Sequence, residues 1–407
     1  MPLTYLAANN TFLCEPKPDP VDRVQIEVGD AKQADFFPQC KVLRWDNEVN
    51  VSMRLVADTA VRTASLADRV ITWDEGERVA QFYEIDATHY EFAVLLKRKP
   101  ASNILAFTLQ HKGVNFYHQP PFANVEKDGS TWEAVPDTDM VLHRSAAVSG
   151  SYAVYHQTRR DHVVGQKNYQ IGKLCHLYRP EAIDAKGQRI WCDLRIDAER
   201  NTASITVPQA WLDAAAYPVL VDPTIGISGT PDTMDSANNF LLTKKYIAPE
   251  DGNANPGTIY VSADEDGAGA SVEIMAAAYL DGDAYPKDSN NTQLSSSVTL
   301  TVAGPTQAWY SNSITWLNIT GATSYWLSVN CIQDGDLWYD VTTDADEIYY
   351  IARTHSGTMP DPHTNMNGNH FHGELGVYVT YTGAGGGGIP RRNPFSRPFR
   401  GPLGGSL

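Results

Sequence analysis

The chain has 407 residues, of which 42% are hydrophobic and 20% are charged, so it can bury a packed core and its composition argues against global disorder. At roughly 150 residues per domain, this length predicts two or three domains. The net charge of −16 argues against general binding to nucleic acid or anionic membranes. The sequence has no apolar run long enough to span a membrane and begins without a signal-peptide pattern. We therefore expect neither a transmembrane segment nor a signal peptide.

Charge is unevenly distributed and divides the chain into three segments. Residues 1–225 carry 24 basic and 29 acidic side chains, whereas residues 226–383 carry 4 basic and 19 acidic ones. Residues 384–407 carry four arginines and no acidic residue. Sharp steps in charge mark separate modules. We therefore predict an N-terminal β-rich module, an acidic β-sandwich domain and a tail with these boundaries.

The first segment is dominated by strand signals. At 24–28, 91–96 and 203–207, apolar residues alternate with polar or small ones, the pattern of a strand with one buried face. A turn is predicted at 184–187, from its Asp-Ala-Lys-Gly sequence. One short helix is predicted at 208–216, where a proline is followed by helix-forming residues.

The second segment contains more strands. Stretches rich in Tyr, Trp, Val, Ile and Thr alternate with clusters of Gly, Asp, Asn and Pro; they are 257–262, 270–280, 296–302, 314–319, 324–332, 337–341, 347–353 and 374–381. About eight or nine strands at this spacing favour a two-sheet sandwich or jelly roll. The predicted fold class is thus all-β, with an N-terminal β-sandwich-like module and a C-terminal jelly-roll or β-sandwich domain.

The tail at 384–407 is rich in Gly, Pro and Arg and cannot build a core, so we predict a flexible segment. Its arginines, Phe395 and Phe399 allow a second interpretation, an arm that docks on an acidic neighbour such as another copy's 226–383 domain.

The five cysteines, Cys14, Cys40, Cys175, Cys192 and Cys331, are widely spaced and form no CxxC pair. This spacing argues against a zinc knuckle or a disulfide scaffold. We expect buried thiols in a protein made in a reducing cytoplasm.

The best metal-binding candidates are Asp361, His363, His370 and His372. In a strand, His370 and His372 project from the same face, as two ligands of a Zn²⁺-like ion should. The alternative is that they are simply exposed polar residues at the start of a strand.

Acidic clusters at 264–266, 281–283, 334–336 and 344–347 could supply oxygen ligands for Ca²⁺. None has the EF-hand pattern, and Asp is also common in solvated turns. We therefore expect no obligate cofactor, with Ca²⁺ and Zn²⁺ as the alternatives.

Catalytic motifs such as a GxSxG elbow, an HExxH helix or a P-loop are absent from the sequence, and we predict that the protein is not an enzyme. Aromatic residues are dense in the second segment, and Trp309, Trp326 and Trp338 are candidates for stacking on sugars. The alternative is that these rings fill the core and subunit interfaces.

Three stretches taken together resemble a module found in uncharacterised proteins of tailed bacteriophages and prophages. They are Asn-Phe-Tyr-His-Gln-Pro-Pro at 115–121, Gly-Ser-Tyr-Ala-Val-Tyr-His at 150–156, and Gly-Lys-Leu-Cys-His-Leu-Tyr-Arg-Pro at 172–180, which leads into Tyr-Pro-Val-Leu-Val-Asp-Pro-Thr at 217–224. The similarity covers about residues 90–225, and in that family a β-sandwich typically follows the Asp-Pro-Thr.

The resemblance implies a virion structural protein of the capsid-decoration, head-fibre or tail-fibre kind, made in the bacterial host cytoplasm. It implies no catalytic residues. The expected partners are other copies of the chain and major capsid or tail proteins, with neither nucleic acid nor membrane. Two alternatives are a virion adhesin that binds host surface glycans and a glycan depolymerase, which would need a pair of carboxylates in a cleft.

Overall fold

The structure is a computed structural model that describes residues 4–6, 10–18, 21–57, 61, 63–86, 88–136, 140–159, 163–164, 167–227, 229–236, 239–248, 251–265, 272–282, 286, 291–304, 306–331, 335–342, 347–354, 357–361, 363, 365–366 and 369–383. The predicted flexible tail lies outside these residues. Within them the chain forms 36 strands and one α-helix, which confirms the all-β fold class.

The strands of the first segment are β1 (Thr4–Leu6), β2 (Thr11–Lys17), β3 (Val24–Val28), β4 (Gln39–Arg44), β5 (Val49–Leu55), β6 (Ser65–Ala67), β7 (Val70–Asp74), β8 (Arg78–Glu84), β9 (His89–Leu96), β10 (Ile104–Lys112), β11 (Val114–Gln119), β12 (Asn124–Val125), β13 (Thr131–Ala134), β14 (Val141–Arg144), β15 (Ser151–His156), β16 (Val163–Val164), β17 (Lys167–Asn168), β18 (Lys173–Leu177), β19 (Glu181–Ile183), β20 (Arg189–Trp191), β21 (Asp193–Asp197), β22 (Thr202–Thr206), β23 (Val219–Asp222) and β24 (Thr224–Gly226). The helix α1 spans Gln209–Ala214.

The strands of the second segment are β25 (Thr233–Asp235), β26 (Phe240–Ile247), β27 (Gly252–Glu265), β28 (Val272–Leu280), β29 (Val298–Val302), β30 (Ala308–Ile319), β31 (Ser324–Cys331), β32 (Gly335–Asp340), β33 (Glu347–Ala352), β34 (His370–His372), β35 (Glu374–Leu375) and β36 (Val377–Gly383). Each of the eight predicted runs contains or overlaps a strand.

The first sandwich packs two large antiparallel sheets against each other. Sheet 1 has eight strands in the order β1-β2-β3-β4-β5-β10-β22-β21, and sheet 2 has eleven strands, with the path β11-β15-β18-β24-β9-β23-β19-β20. Their inward-facing side chains form one core. Phe92 belongs to this core. Its ring centroid lies 4.2 Å from that of Phe82 and 5.5 Å from that of Phe107. The alternation predicted at 24–28 is confirmed, because every second residue of β3 is buried.

The second sandwich packs nine-stranded sheet 3, with the path β12-β13-β14-β25-β32-β27-β30, against six-stranded sheet 4, with the order β29-β28-β31-β26-β33-β34. Strand β26 was not predicted, because it is buried on both faces and therefore lacks polar alternation. Its inner face joins the core between the sheets, while Leu241 on the outer face packs against Met359 and Met366.

Residues 124–144 of the first segment join the sheet of the second. Strands β12, β13 and β14 form a small meander, and β14 pairs with β25. Sheet 3 therefore draws strands from both sides of residue 225. The domain division stays a prediction, but the two sandwiches share this crossing segment.

Several local features follow from the sequence. The turn at 184–187 is confirmed, since Gly187 N donates to Asp184 O at 2.9 Å and Gly187 has a φ of 77°. The helix begins after Pro208 as predicted but ends earlier, because Ala215 already has an extended backbone.

All five cysteines are buried and free, as predicted. Burial raises the pKa values of Cys40, Cys175 and Cys192 to about 12 each, so these thiols stay protonated at neutral pH.

Among the described residues, no helix has the length and apolar character needed to cross a membrane.

Candidate functional site

A cluster of buried charges lies where the two sandwiches meet. Lys173 of β18 is fully buried, and its ammonium group contacts the carboxylate of Asp232. It also lies 3.0 Å from Asp340 Oδ2, at the end of β32, and donates to Thr230 O at 2.8 Å. The lysine comes from the first sandwich and Asp340 from the second, so this ion pair joins the two.

Two tyrosines complete the contacts of the carboxylates. Tyr155 OH donates to Asp340 Oδ2 at 2.6 Å, and Tyr178 OH donates to Asp232 Oδ1 at 2.8 Å. The backbone N–H of Asp232 donates to Asp340 Oδ1 at 2.8 Å, which ties the two acidic residues to each other. Each carboxylate is thus held by several hydrogen bonds, as buried charges require.

These contacts shift the pKa values of the cluster. Burial by itself would raise the pKa of Asp232, but the charges and hydrogen bonds of Lys173 and His176 outweigh it and hold that pKa far below its usual range. Burial would lower the pKa of Lys173, yet Asp232 and Asp340 raise it. Lys173 and Asp232 are therefore both charged at neutral pH.

Ser151, His176 and Asp232 have the spacing of a catalytic triad. Ser151 Oγ lies 2.6 Å from His176 Nε2, and His176 Nδ1 lies 2.7 Å from Asp232 Oδ2. However, Ser151 is 0% exposed, and its hydroxyl donates to Val148 O at 2.5 Å. A nucleophile must be reached by its substrate, so this geometry supports a structural hydrogen-bond chain.

The same cluster contains a potential metal-binding group. His176, Asp232 and Asp340 each offer one ligand atom, and these atoms lie within 4.8 Å of one another. The donor set fits a divalent cation poorly, because the Lys173 ammonium already contacts both carboxylates. The lysine supplies the positive charge that a metal ion would otherwise bring.

A cavity of about 790 Å³ adjoins the cluster. Its lining includes Arg144, Tyr178 and Asp232, together with other residues of β13, β14, β25 and β32. Four lining side chains come from successive strands of sheet 3: Trp132, His143, Met234 and Trp338. This volume lies in the range of small-molecule sites.

The four residues predicted as metal ligands lie outside the ionic cluster. Asp361 Oδ1 accepts from Gln293 N at 3.0 Å, and buried His363 bonds Ser328 Oγ at 2.8 Å. His370 and His372 lie on one strand with ring centroids 5.9 Å apart, and Glu347 is 3.5 Å from His370. Among the described residues, no three of these four side chains place their ligand atoms close enough to hold one metal ion.

Of the predicted Ca²⁺ ligands, Asp264 accepts a hydrogen bond from Trp338 Nε1 at 2.8 Å, and Asp281 lies 3.1 Å from Lys245. Both carboxylates thus have protein partners. Asp266, Asp283, Asp334 and 344–346 lie outside the described residues.

The three tryptophans proposed as sugar platforms have different surroundings. Trp326 is 1% exposed and packs in the core beneath Lys245, so its ring is not available to a ligand. Trp309 is half-buried and lies edge-on to Tyr378 at 5.1 Å. Trp338 lines the cavity.

Sequence reasoning missed the ionic cluster. Ser151, Tyr155, Lys173 and His176 all lie in stretches that carried the family resemblance, but their pairing depends on strand order. Asp340 lies within the run 337–341, which was predicted as a strand, and Asp232 lies in no predicted element. Only the packing of the sandwiches reveals that these charges are buried.

Comparisons with known proteins add no identification. No family model matches the sequence, and no curated protein matches it. Three solved structures of exo-β-1,3-galactanase from Phanerochaete chrysosporium, one with galactose and two variants with β-1,3-galactotriose, show 7%, 8% and 10% identity. These matches cover 82–83% of this chain and 94–98% of the matched chains, with TM-scores of 0.10–0.13.

Proposed function

We propose that this protein is a structural component of a tailed-bacteriophage virion, acting in assembly, stabilisation or surface display. The observation that carries the proposal is the buried ionic cluster of Lys173, Asp232 and Asp340, together with the family resemblance of the stretches that contain Lys173 and Tyr155. A charged network buried between two sandwiches fixes their relative orientation, since breaking it would leave unpaired charges without water.

A virion component needs this kind of stiffness, because its two ends contact different neighbours. The acidic segment at 226–383 would keep an outer surface soluble at high local density. The partners would be other copies of the chain and capsid or tail proteins, and repetition would add avidity.

The test is mass spectrometry of purified virions from an induced lysogen or an infected culture that encodes the chain. We expect the protein at a stoichiometry comparable to known minor or major virion proteins. Its presence in the lysate together with its absence from density-purified particles would refute the proposal.

The non-enzymatic role is part of the same proposal, and the burial of Ser151 supports it. The adhesin alternative is favoured by one specific observation, the cavity lined by Trp132 and Trp338. That observation does not depend on the virion role.

A further inference from the structure

Four side chains that line the cavity beside the ionic cluster form one continuous strip. Trp132 is directly opposite His143, His143 is opposite Met234, and Met234 is opposite Trp338. Directly opposite residues of antiparallel strands project from the same face of the sheet. At about 4.8 Å between neighbouring strands, the strip is roughly 14 Å long. It is an extended strip with a tryptophan at each end rather than a cage around a single point.

Both indole rings are fixed by carboxylates. Trp132 Nε1 donates to Glu126 Oε1 at 2.8 Å, and Trp338 Nε1 donates to Asp264 Oδ1 at 2.8 Å. Because their N–H groups are already bonded, the half-buried rings offer a ligand their apolar surfaces. Apolar ring surfaces pack well against the C–H faces of sugar rings.

Polar groups line the same cavity and suit sugar hydroxyls, which both donate and accept hydrogen bonds. Burial lowers the pKa of His143 despite the opposing effect of Glu126, so its ring is neutral at pH 7 and carries one donor and one acceptor. Ser130 and Gln307 add a hydroxyl and an amide to the lining.

The charged residues of the cavity lining do not select an anionic ligand. Asp232 contacts Lys173, and Glu126 accepts a hydrogen bond from Trp132. Arg144 also lines the cavity; it is buried, donates to Thr233 Oγ1 at 3.2 Å and to Pro120 O, and lies over the Phe122 ring. Because Arg144 and Glu126 carry opposite charges, and the segment that supplies Trp338 is strongly acidic, an anionic polymer gains no net attraction here.

We propose that this cavity binds a neutral saccharide, which stacks along the strip between Trp132 and Trp338. Saccharide binding goes beyond the virion role, and it does not require that the chain be part of a virion. It also differs from a quaternary-ammonium site, which needs aromatic rings surrounding one cation.

The experiment is affinity electrophoresis of the full chain in gels that contain dextran, galactan, mannan or xylan, with polygalacturonate and alginate as acidic counterparts. We expect at least one neutral polysaccharide to retard the protein and the acidic ones to retard it less. Trp132→Ala should weaken the retardation about tenfold, the equivalent of ~1.4 kcal/mol. Trp338→Phe, which keeps an aromatic ring but loses the bond to Asp264, should weaken it less.

Trp211→Ala is the matched control, since Trp211 lies on α1 and is not among the cavity residues. Thermal unfolding of each variant separates loss of binding from loss of folding. No retardation by any neutral polysaccharide, equal retardation of wild type and a folded Trp132→Ala variant, stronger binding of the acidic polymers, or competition by tetramethylammonium would each overturn the proposal. None of these results bears on whether the chain is present in virions.

Discussion

Lys173 is the residue on which the junction depends, because its ammonium is the positive charge next to two buried carboxylates. We expect Lys173→Met to lower the free energy of unfolding by about 3–5 kcal/mol, since Asp232 and Asp340 would remain buried without it. Urea denaturation measures this loss.

The double variant Lys173→Met with Asp340→Asn should lose less than the sum of its single changes, because it removes one of the stranded charges. Lys97→Met, which breaks an exposed pair with Asp74, is the control and should change stability little. A loss no greater for Lys173→Met than for Lys97→Met would contradict the assigned role.

Ser151 distinguishes a structural chain from a catalytic triad. Because its hydroxyl is fully buried, we expect no labelling by a fluorophosphonate probe. Ser151→Ala should lower the free energy of unfolding by about 1 kcal/mol through the lost bond to His176. Stoichiometric labelling of the folded protein at Ser151 would show that the hydroxyl is reachable and that the structural interpretation is wrong.

Glu91 introduces a pH dependence into stability. Burial, together with the neighbouring carboxylate of Asp222, raises the pKa of Glu91 from 4.5 to about 9. The folded protein therefore keeps a proton that the unfolded chain releases above pH 4.5. The free energy of unfolding should fall as the pH rises from about 4.5 to about 9, by up to about 1.4 kcal/mol per pH unit.

Glu91→Gln should remove this fall, so that its advantage over wild type grows towards pH 9. Chemical denaturation at a series of pH values measures the slope. Glu77→Gln, at an exposed ion pair with Arg98, serves as the control and should retain the wild-type slope. Parallel curves for wild type and Glu91→Gln would show that the pKa of Glu91 is not raised in the folded protein.

At the scale of elements, the hairpin β12–β13 contributes Trp132 and residues of its turn to the cavity lining, and its tip contacts the first sandwich. Trp191 Nε1 donates to Asp128 O at 3.3 Å, and a Cβ built on Gly129 would lie 2.8 Å from that nitrogen. The indole thus packs closely against the turn. This contact links the β12–β13 hairpin, which lies at one edge of sheet 3, to strand β20.

Trp191→Ala should loosen this hairpin. We expect the local opening free energy of residues 124–134 to fall by about 1 kcal/mol, because one hydrogen bond and the packing at the tip are lost. Hydrogen–deuterium exchange would show faster exchange in this segment and unchanged exchange in β26. Trp211→Ala, on α1, is the comparison, and equal acceleration in both variants would show that the contact does not hold the hairpin.

At the scale of the whole molecule, the ionic cluster and the crossing segment connect the two sandwiches. Their energetic coupling predicts that the protein unfolds in a single calorimetric transition, although it contains two cores. In the variant with Lys173→Met and Tyr155→Phe, both contacts to Asp340 from the first sandwich are lost, and we expect two resolved transitions. Two transitions in the wild type would show that the sandwiches are energetically independent.

The fold class could be predicted from the sequence, because period-two alternation shows directly which face of a strand is buried. It predicted most strands of the second segment, the start of α1 and the buried thiols, but not the short strands β25 and β34. It failed at β26, since a strand buried on both faces has no alternation to detect.

The candidate site, in contrast, depends on long-range packing. Lys173 and Asp340 are far apart in sequence, and whether two charges are solvated or buried depends on which strands pack over them. The same holds for Trp132 and Trp338, which share one strip only because β14 pairs with β25 and β25 with β32. Strand alternation is a local property of the chain, whereas burial of charge and strand order are set by long-range pairing, which no short stretch of sequence specifies.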